Sequence, residues 1–327
     1  MFKAIVIDKA DDHYTCQLTE LDESQLPDET VTVAIEYSTL NYKDGLAVTG
    51  ASPVVRRFPM VPGIDFSGEV IDSQSERFKT GDKVFVNGWG LGEKHWGGLA
   101  QKMAINADFL LPLPKGLSTK DVMAVGTAGY TAMLCINRIE ALGITPDSGS
   151  ILVTGANGGV GSFAVAFLAK LGYRVVAVTG RMSEKDRLLA LGASDVIERT
   201  LLSEPGRPLG KEQWAAAIDA VGSHTLANVC AGIQYGGVVA ACGLAQGMDL
   251  PASVAPFILR GVTLAGVDSV MCPNDIRLKA WQRIANLIDE ELVSSATQTI
   301  GLSEAIETAK GFLTGQVKGR VVVDVNA

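Results

Sequence analysis

The hydrophobic and polar positions follow two different patterns along the chain. Before about residue 118, short β-like runs alternate with turn signals such as PG, GD and WG, and helical spacing is scarce. These runs are FKAIVI, VTVAIEY, FSGEVI, DKVFVN and GGLAQKMAI. The pattern predicts a compact, antiparallel, barrel-like domain. A long helical stretch, STKDVMAVGTAGYTAMLCINRIEALG, then begins at Ser118, which is spaced from Asp121 as in a capping box.

Strand-like and helical runs alternate regularly after this helix. The apolar runs are SILVTG, RVVAVTG, SDVIE, AAIDAVG and VVAACG, with helical stretches such as EKDRLLALG and HTLANVCAGI between them, and VTLAGVD would add a sixth strand. This alternation predicts an α/β fold with a doubly wound parallel sheet. The tail, which contains WQRIANLIDEEL, SEAIETAKGFLTG and KGRVVVDV, is expected to return to the first domain. The predicted domains are therefore 1–124 with 268–327, and 125–267, with one long linker-like loop at 201–213.

Residues 153–161, VTGANGGVG, join an apolar strand to a helical run. Small residues in such a turn let backbone N–H groups approach a pyrophosphate at a helix N-terminus, although similar turns also occur without a ligand. The letters fit both the TGxxxGxG pattern of short-chain dehydrogenases and the turn of medium-chain reductases, here Ala156, Gly158 and Gly161. Short-chain enzymes open with this motif and need YxxxK, yet no tyrosine here has a lysine four places later. The medium-chain arrangement is therefore favoured.

Composition narrows the class of protein. A chain of 327 residues with 47% hydrophobic residues and 36 glycines suits two α/β domains with large cores. The net charge of −8 argues against nucleic acid as a general partner. Five cysteines, scattered and never spaced as CxxC, predict neither a disulfide framework nor a zinc ribbon and fit a reducing, cytoplasmic setting. We expect no secretory signal and no membrane segment, because the apolar runs are too short or are interrupted by charges.

An ordered set of motifs spans essentially the whole chain. The set is LNYKDGLAVTG (40–50), PGIDFSGEV (62–70), GWGLGEKHWGG (88–98), GTAGYTA (126–132), VTGANGGVGS (153–162) and GVDSV (266–270). On these motifs the chain resembles the zinc-independent, quinone-oxidoreductase-like type of medium-chain dehydrogenase/reductase, and is most similar to its NADPH-dependent acryloyl-CoA reductase branch. The resemblance implies a GroES-like, β-barrel-rich catalytic domain, a Rossmann domain for NADPH, and conjugate reduction of an activated C=C bond. It also implies a homodimer, paired through the sixth strand and the following GVDSVMCP.

The zinc alcohol dehydrogenases of the same superfamily place a cysteine and a GHE motif around the substrate. This sequence offers Asn41 in place of the cysteine and Gly63-Ile64-Asp65 in place of GHE. Zinc needs three or four converging ligands, which His95 alone cannot supply. We therefore expect no metal.

The end of the second Rossmann strand, VVAVTGR, carries the choice of cofactor. An NAD enzyme would place an acidic residue there. This chain instead places Thr179, Gly180 and Arg181, which could bind the 2′-phosphate of NADPH. In the alternative interpretation, Arg181 only begins a solvated helix. Arg199 is expected to stack on adenine or to share the phosphate. The complete expected NADPH set is Tyr42, Ala156, Asn157, Gly158, Gly159, Val160, Thr179, Gly180, Arg181, Arg199, Gly243, Leu244, Ile258 and Ser269.

Asn41, Tyr42 and Asp44 follow a predicted strand and are the candidate catalytic residues. Tyr42 is the favoured proton donor or nicotinamide neighbour, while Asn41 and Asp44 would orient groups. In the alternative interpretation, Asn41 caps a helical turn and Tyr42 packs its ring.

Four further residues are candidate substrate contacts. Trp89 and His95 lie in a glycine-rich loop that could wall the substrate, or Trp89 could simply fill a gap. Arg56 and Arg57 could bind the phosphates of CoA, or could be a solvated pair. Three functions therefore remain open: reduction of short enoyl-CoA thioesters, reduction of quinones, and nucleotide binding without catalysis. The motif set favours the first.

Overall fold

The computed structural model describes residues 1–11 and 13–327. Two compact units divide the chain. The first, called the split unit, contains Met1–Thr127 and Val270–Ala327, and the second, called the continuous unit, contains Ala128–Ser269. The boundaries expected from the sequence, after residues 124 and 267, fall slightly before the observed ones.

The elements follow one another in this order. The strands are β1 (Phe2–Ala10), β2 (His13–Leu21), β3 (Val31–Leu40), β4 (Asp65–Ser73), β5 (Lys83–Asn87), β6 (Lys102–Ile105), β7 (Leu111–Pro112), β8 (Ile151–Val153), β9 (Val175–Thr179), β10 (Asp195–Glu198), β11 (Trp214–Asp219), β12 (Ile233–Ala241), β13 (Thr263–Gly266), β14 (Thr297–Gly301) and β15 (Arg320–Asp324). The helices are α1 (Tyr42–Thr49), α2 (Thr119–Ala141), α3 (Gly159–Lys170), α4 (Lys185–Ala190), α5 (Ser223–Gly232), α6 (Ala255–Arg260), α7 (Asn274–Leu287), α8 (Glu290–Ala296) and α9 (Ala305–Lys310).

The split unit is built mainly on antiparallel strands. Its larger sheet has the order β14-β15-β3-β4-β5-β7, with β6 also paired to β3, and β1 and β2 form a separate hairpin. Only the β14–β15 pair among these is parallel. The core contains Val33, Phe66, Val84 and Val321, all fully buried. Strand β2 was not predicted, because polar and apolar residues do not alternate regularly along HYTCQLTEL. Its extended conformation is decided by its pairing with β1.

The continuous unit is a six-stranded sheet with the order β10-β9-β8-β11-β12-β13. All of its neighbouring strands are parallel. The predicted doubly wound sheet and its sixth strand are therefore confirmed. The strand order reverses at β8, and in such sheets ligands bind beyond the carboxyl ends of the strands at this reversal. Strand β13 lies at the edge and pairs with β12 alone.

Helix α2 begins as expected but is not continuous. The Ser118 N–H donates to Asp121 Oδ2 at 2.9 Å and the Asp121 N–H donates to Ser118 Oγ at 3.1 Å, which is the predicted capping box. The unbroken helix predicted for this segment is wrong, because Gly126 has φ 54° and ψ −164°. Essentially only glycine adopts this conformation, so the sequence interrupts its own helix there.

Residues 202–213, within the predicted loop, contain no helix or strand, and all of them are described. Over the described ranges, no helix combines the length and the apolar character that a membrane crossing needs.

Candidate active site

The segment LNYKDGLAVTG folds as a short capped helix, α1. Asp44 Oδ2 accepts from the Asn41 N–H at 2.8 Å, and Asp44 Oδ1 accepts from the Ile64 N–H at 3.2 Å. The helix ends at Gly50, whose φ of 66° is the left-handed conformation that glycine favours. Asp44 is 1% exposed. Its two hydrogen bonds tie the start of α1 to the loop at Ile64.

Asp65 collects hydrogen bonds from three residues at the centre of the split unit. Its Oδ2 accepts from Asn41 Nδ2 at 3.1 Å and from the Thr127 N–H at 2.8 Å. Its Oδ1 accepts from Asn87 Nδ2 at 3.1 Å and from the Thr127 hydroxyl. Asn41 and Asp65, which stand where the zinc alcohol dehydrogenases have the cysteine and the glutamate of GHE, are thus hydrogen-bonded to each other.

Arg320, on β15, lies within the same buried network. Its guanidinium donates to Asn41 Oδ1 at 3.1 Å, to Thr39 Oγ1 at 2.8 Å and to the Ala124 carbonyl at 3.1 Å. Because α2 is interrupted at Gly126, the Ala124 carbonyl is free of the helical hydrogen bonds and can accept from Arg320. For the same reason the Thr127 N–H can donate to Asp65. Sequence reasoning missed Arg320, although an arginine at the head of the apolar run VVV was an available signal.

Burial dominates the electrostatics of this network. Desolvation lowers the pKa of Arg320, while the charges of Asp65 and Asp44 oppose that change. Desolvation raises the pKa of Asp44 to about 7; the neighbouring charge of Asp65 adds to this, and the N–H groups of Asn41 and Ile64 oppose it. We call Asn41, Asp44, Asp65, Thr127 and Arg320 the buried network.

Tyr42 differs from its two neighbours in the candidate set. It is 45% exposed, and its hydroxyl makes no hydrogen bond with a residue in the described ranges. Asn41 and Asp44 are both buried. The adjacent Lys43 forms an ion pair with Glu93 at 2.7 Å. Of the three candidate catalytic residues, Tyr42 alone is exposed.

The glycine-rich loop 88–98 carries a stack of side chains. The Trp89 ring lies parallel to Phe109 at 5.1 Å, and the Arg277 guanidinium lies 4.8 Å from the Trp89 ring centre. His95 meets Phe109 edge-on at 5.4 Å. Trp89 and His95 therefore both pack against Phe109. Arg56 and Arg57, the other two candidate substrate contacts, are both exposed.

The turn VTGANGGVG leads from β8 into α3, as predicted. The Ala156 N–H donates to the Val178 carbonyl at 3.1 Å, which fixes the turn to β9. A Cβ on Gly161 would overlap the Gly155 carbonyl, so the helix can start this close to the turn only with glycine. The first N–H groups of α3 have no partner within the helix, and the helix dipole favours an anion there. These residues fit the pyrophosphate of a dinucleotide.

The carboxyl end of β9 gathers polar and cationic groups. Asn157 donates through Nδ2 to the Thr179 hydroxyl, which also accepts from the Arg181 N–H at 3.0 Å. A Cβ on Gly180 would lie 2.7 Å from Arg199 Cζ, so the glycine admits the guanidinium. The Arg199 guanidinium therefore lies against Gly180, the residue that precedes Arg181.

Arg187, on α4, is an addition that the sequence did not reveal. Its Nη2 donates to Asn157 Oδ1 at 3.1 Å, and its Nε lies 3.3 Å from Glu184 Oε2. Arg187 therefore supports the phosphate turn from the side opposite Thr179. The arginine itself was visible in EKDRLLALG, but its partner was not, because that contact depends on how α4 returns to the turn.

The remaining expected cofactor contacts occupy varied environments. Gly243 follows β12, and a Cβ on it would overlap the Ala220 carbonyl. Leu244 and Ile258 are 52% and 73% exposed. Ser269 is the last residue of the continuous unit. Their roles toward a cofactor stay predictions.

Side chains of the kind that bind metals do not converge in groups of three or more His, Cys, Asp or Glu anywhere in residues 1–11 and 13–327. All five cysteines are free thiols.

Comparison with known proteins identifies the family. The model of the alcohol dehydrogenase GroES-like domain matches residues 27–115, and that of the zinc-binding dehydrogenases matches residues 159–286. The acrylyl-CoA reductase AcuI of Ruegeria pomeroyi is 51% identical over all of both chains. The crystal structure of Escherichia coli K-12 YhdH with bound NADPH superposes with a TM-score of 0.97 at 50% identity, over 99% of this chain and 100% of that one.

The putative quinone oxidoreductase YhfP of Bacillus subtilis is 42% identical over 99% of this chain and 98% of its own. Similarity over the full length therefore extends to both proteins, and the identity is higher with the acrylyl-CoA reductase. The chain belongs to the medium-chain dehydrogenase/reductase superfamily and, within it, to the family of the acrylyl-CoA reductase AcuI.

Proposed function

We propose that this protein reduces the C=C bond of acryloyl-CoA, and of other short enoyl-CoA thioesters, to the saturated thioester with NADPH. The observation that carries the proposal is the identity of 51% with an acrylyl-CoA reductase over the whole of both chains. Acryloyl-CoA would become propionyl-CoA.

The residues at the carboxyl ends of β8 and β9 suit NADPH. The turn 155–158 and the start of α3 would hold the pyrophosphate, and Arg181 with Arg199 would hold the 2′-phosphate. When bound, NADPH supplies the hydride. Asn157, hydrogen-bonded to both Thr179 and Arg187, fixes the phosphate turn against the end of β9.

The protein has two tasks in this reaction. Negative charge develops on the thioester carbonyl oxygen as the β-carbon is reduced, and a proton must then reach the α-carbon. Tyr42 is the proposed proton donor, because it is the exposed residue among Asn41, Tyr42 and Asp44 and its hydroxyl makes no hydrogen bond with a residue in the described ranges. Asn41 and Asp44 act indirectly, by fixing the start of α1 from which Tyr42 projects.

Replacement of Tyr42 by phenylalanine tests the reaction and the residue together. General acid catalysis contributes about 10² to 10⁴, so Tyr42→Phe should lower the turnover of acryloyl-CoA by about that factor with little change in NADPH affinity. The matched control is Tyr235→Phe, because Tyr235 is 79% exposed in the continuous unit. A change of only a few fold would assign the proton to water. Wild-type activity should survive a chelator, and its loss would contradict the metal-independent route.

Quinone reduction is the second candidate, supported by the full-length similarity to the putative quinone oxidoreductase YhfP. A panel of acryloyl-CoA, crotonyl-CoA and benzoquinones with NADPH separates the two. Turnover confined to quinones would overturn the first proposal.

We further propose that the protein is a cytoplasmic homodimer. Strand β13 leaves one edge unpaired in the continuous unit, and joining two such edges across a two-fold axis would extend the sheet. Light scattering at micromolar concentration should then give about twice the chain mass of 34.4 kDa. A species of single-chain mass would reject the dimer.

A further inference from the structure

A concavity of about 370 Å³ lies in the split unit, apart from the buried network. Three aromatic side chains, Phe58, Trp96 and Phe109, line it together with His95. Three charged residues, Arg57, Lys94 and Glu29, line it as well. Flat apolar walls beside two cations and one carboxylate suit an aromatic ligand that also carries phosphate.

The aromatic walls are held in place before any ligand arrives. Trp96 Nε1 donates to the Pro59 carbonyl at 3.3 Å, and Phe58 meets Tyr14 edge-on at 5.9 Å. Phe109 stacks on Trp89, as described above. These contacts hold the three lining rings before a ligand binds, so a ligand would not have to order these side chains, which reduces the entropic cost of binding.

The two cations are free to bind an anion. Arg57 and Lys94 are exposed, and neither forms an ion pair with any residue in the described ranges. Other cations of the split unit are already neutralised: Lys43 by Glu93 and Arg77 by Asp108. The Arg56 N–H donates to the Glu93 carbonyl at 2.8 Å, which fixes the backbone segments that carry Arg57 and Lys94 side by side.

The proposed substrate needs a site of this chemistry. The acyl group of acryloyl-CoA offers only three carbon atoms, so most of its binding energy must come from the CoA portion, whose adenosine carries a 3′-phosphate and a 5′-diphosphate. A chain with a net charge of −8 must hold these anions in a locally cationic place. We propose that this concavity binds the 3′-phosphorylated adenosine of acyl-CoA, with adenine between the aromatic walls and the phosphates on Arg57 and Lys94. Glu29 then accepts a hydrogen bond from the adenine amino group.

The position of the concavity along the chain fits this role. Lys43 directly follows Tyr42, and its ion-pair partner Glu93 directly precedes Lys94. The proposed adenosine site and the proposed proton donor therefore lie on segments that contact each other, and the extended pantetheine arm of CoA links the two ends of the substrate. This inference rests on the proposed function.

The kinetic test uses Arg57→Ala, Lys94→Ala and a control, Lys115→Ala, because Lys115 is an exposed cation of the split unit that does not line the concavity. Each pocket variant should raise the KM for acryloyl-CoA by about ten- to a hundredfold and leave kcat nearly unchanged. The same variants should turn over acryloyl-pantetheine, which lacks the nucleotide, like the wild type. A KM that does not change, an equal loss with acryloyl-pantetheine, or an equal loss in Lys115→Ala would overturn the inference.

A binding measurement separates this inference from the proposed reaction. Calorimetric titration with adenosine 3′,5′-bisphosphate, in the presence of saturating NADPH, should show binding to the wild type and to Lys115→Ala, and about tenfold or greater weakening in Arg57→Ala and Lys94→Ala. If the wild type binds the bisphosphate but does not reduce acryloyl-CoA, the proposed reaction fails and the site stands. If it reduces acryloyl-CoA but the four proteins bind the bisphosphate equally, the site fails alone.

Discussion

Gly126 is the residue on which the buried network of the split unit depends. Its conformation frees the Ala124 carbonyl, which accepts from Arg320, and the Thr127 N–H, which donates to Asp65. Burying a charge is costly and is offset only where charged partners and hydrogen bonds satisfy the group, so removing a partner is strongly destabilising. The missing side chain of one glycine therefore allows two charges to be buried together.

Gly126→Ala should accordingly destabilise the protein. The alanine Cβ would overlap Arg320 Nη2 and would lie 3.0 Å from Asp65 Oδ2, at a φ of +54°. We expect a loss of about 2–5 kcal/mol, measured as a lower denaturation midpoint. Gly116→Ala is the control, since Gly116 also has positive φ (+89°) but a Cβ there meets nothing within 4 Å. Equal losses in the two variants would attribute the effect to backbone strain alone.

Arg181 is expected to decide between the two nicotinamide cofactors. A charge-assisted hydrogen bond to the 2′-phosphate contributes about 1.5–3 kcal/mol, so Arg181→Ala should weaken NADPH binding by about ten- to a hundredfold and leave NADH nearly unaffected. Arg207→Ala, an exposed arginine of the same unit, should change neither. Fluorescence titrations with both cofactors measure this, and a similar loss for NADPH and NADH would show that Arg181 only supports the turn.

At the scale of elements, α1 shows how a helix of eight residues is kept in place. Such a short helix is marginal by itself, so its capping bonds and its packing decide whether it forms. Asp44 supplies the capping bond from inside the core, where its charge is poorly solvated. The position of Tyr42 therefore depends on an ionisable group that the reaction itself does not use.

The stability contributed at Asp44 should depend on pH. Burial raises the pKa of Asp44 to about 7 in the folded state, above its value of about 3.9 in an unfolded chain, so the folded protein holds the proton more tightly. This contribution is fully present below about pH 4 and is lost as the pH rises to about 7, with a limiting slope of about 1.4 kcal/mol per pH unit. The difference in unfolding free energy between the wild type and Asp44→Asn should fall over that range. A difference that is flat from pH 4 to 7, or that grows, would contradict the assignment.

The elements were predictable from the sequence to the extent that local spacing decides them. Ser118 and Asp121 could be paired because a capping box needs only residues three positions apart. The approach of Arg199 to the end of β9 was predictable too, because adjacent parallel strands align their carboxyl ends. Asn41 was recognised, but its bond to Arg320 was not, because the two lie 279 positions apart and no periodicity links them. The break at Gly126 was missed, since a glycine inside a helical pattern usually causes only a small loss of stability.

At the scale of the whole molecule, the two units differ in how the chain supplies them. The continuous unit uses one uninterrupted segment, Ala128–Ser269, whereas the split unit needs both Met1–Thr127 and Val270–Ala327. Its sheet joins β3, near the start of the described chain, to β15, near the end. This organisation follows from the sequence, where the strand-like run KGRVVVDV stands alone after the last helical stretch.

The arrangement around Arg320 has a consequence for how the protein is made. The hydrogen bond from Arg320 to Thr39 spans 281 positions, so during synthesis from the N-terminus the strand that receives β15 leaves the ribosome long before β15 exists. The segment Ala128–Ser269 emerges between them and can fold before β15 is synthesised. Until residues 320–324 are made, the part of β3 at residues 37–40 lacks its partner strand β15, and Asp65 lacks the neighbouring charge of Arg320. The newly made chain is therefore most exposed to aggregation in the interval between the folding of the continuous unit and the synthesis of β15.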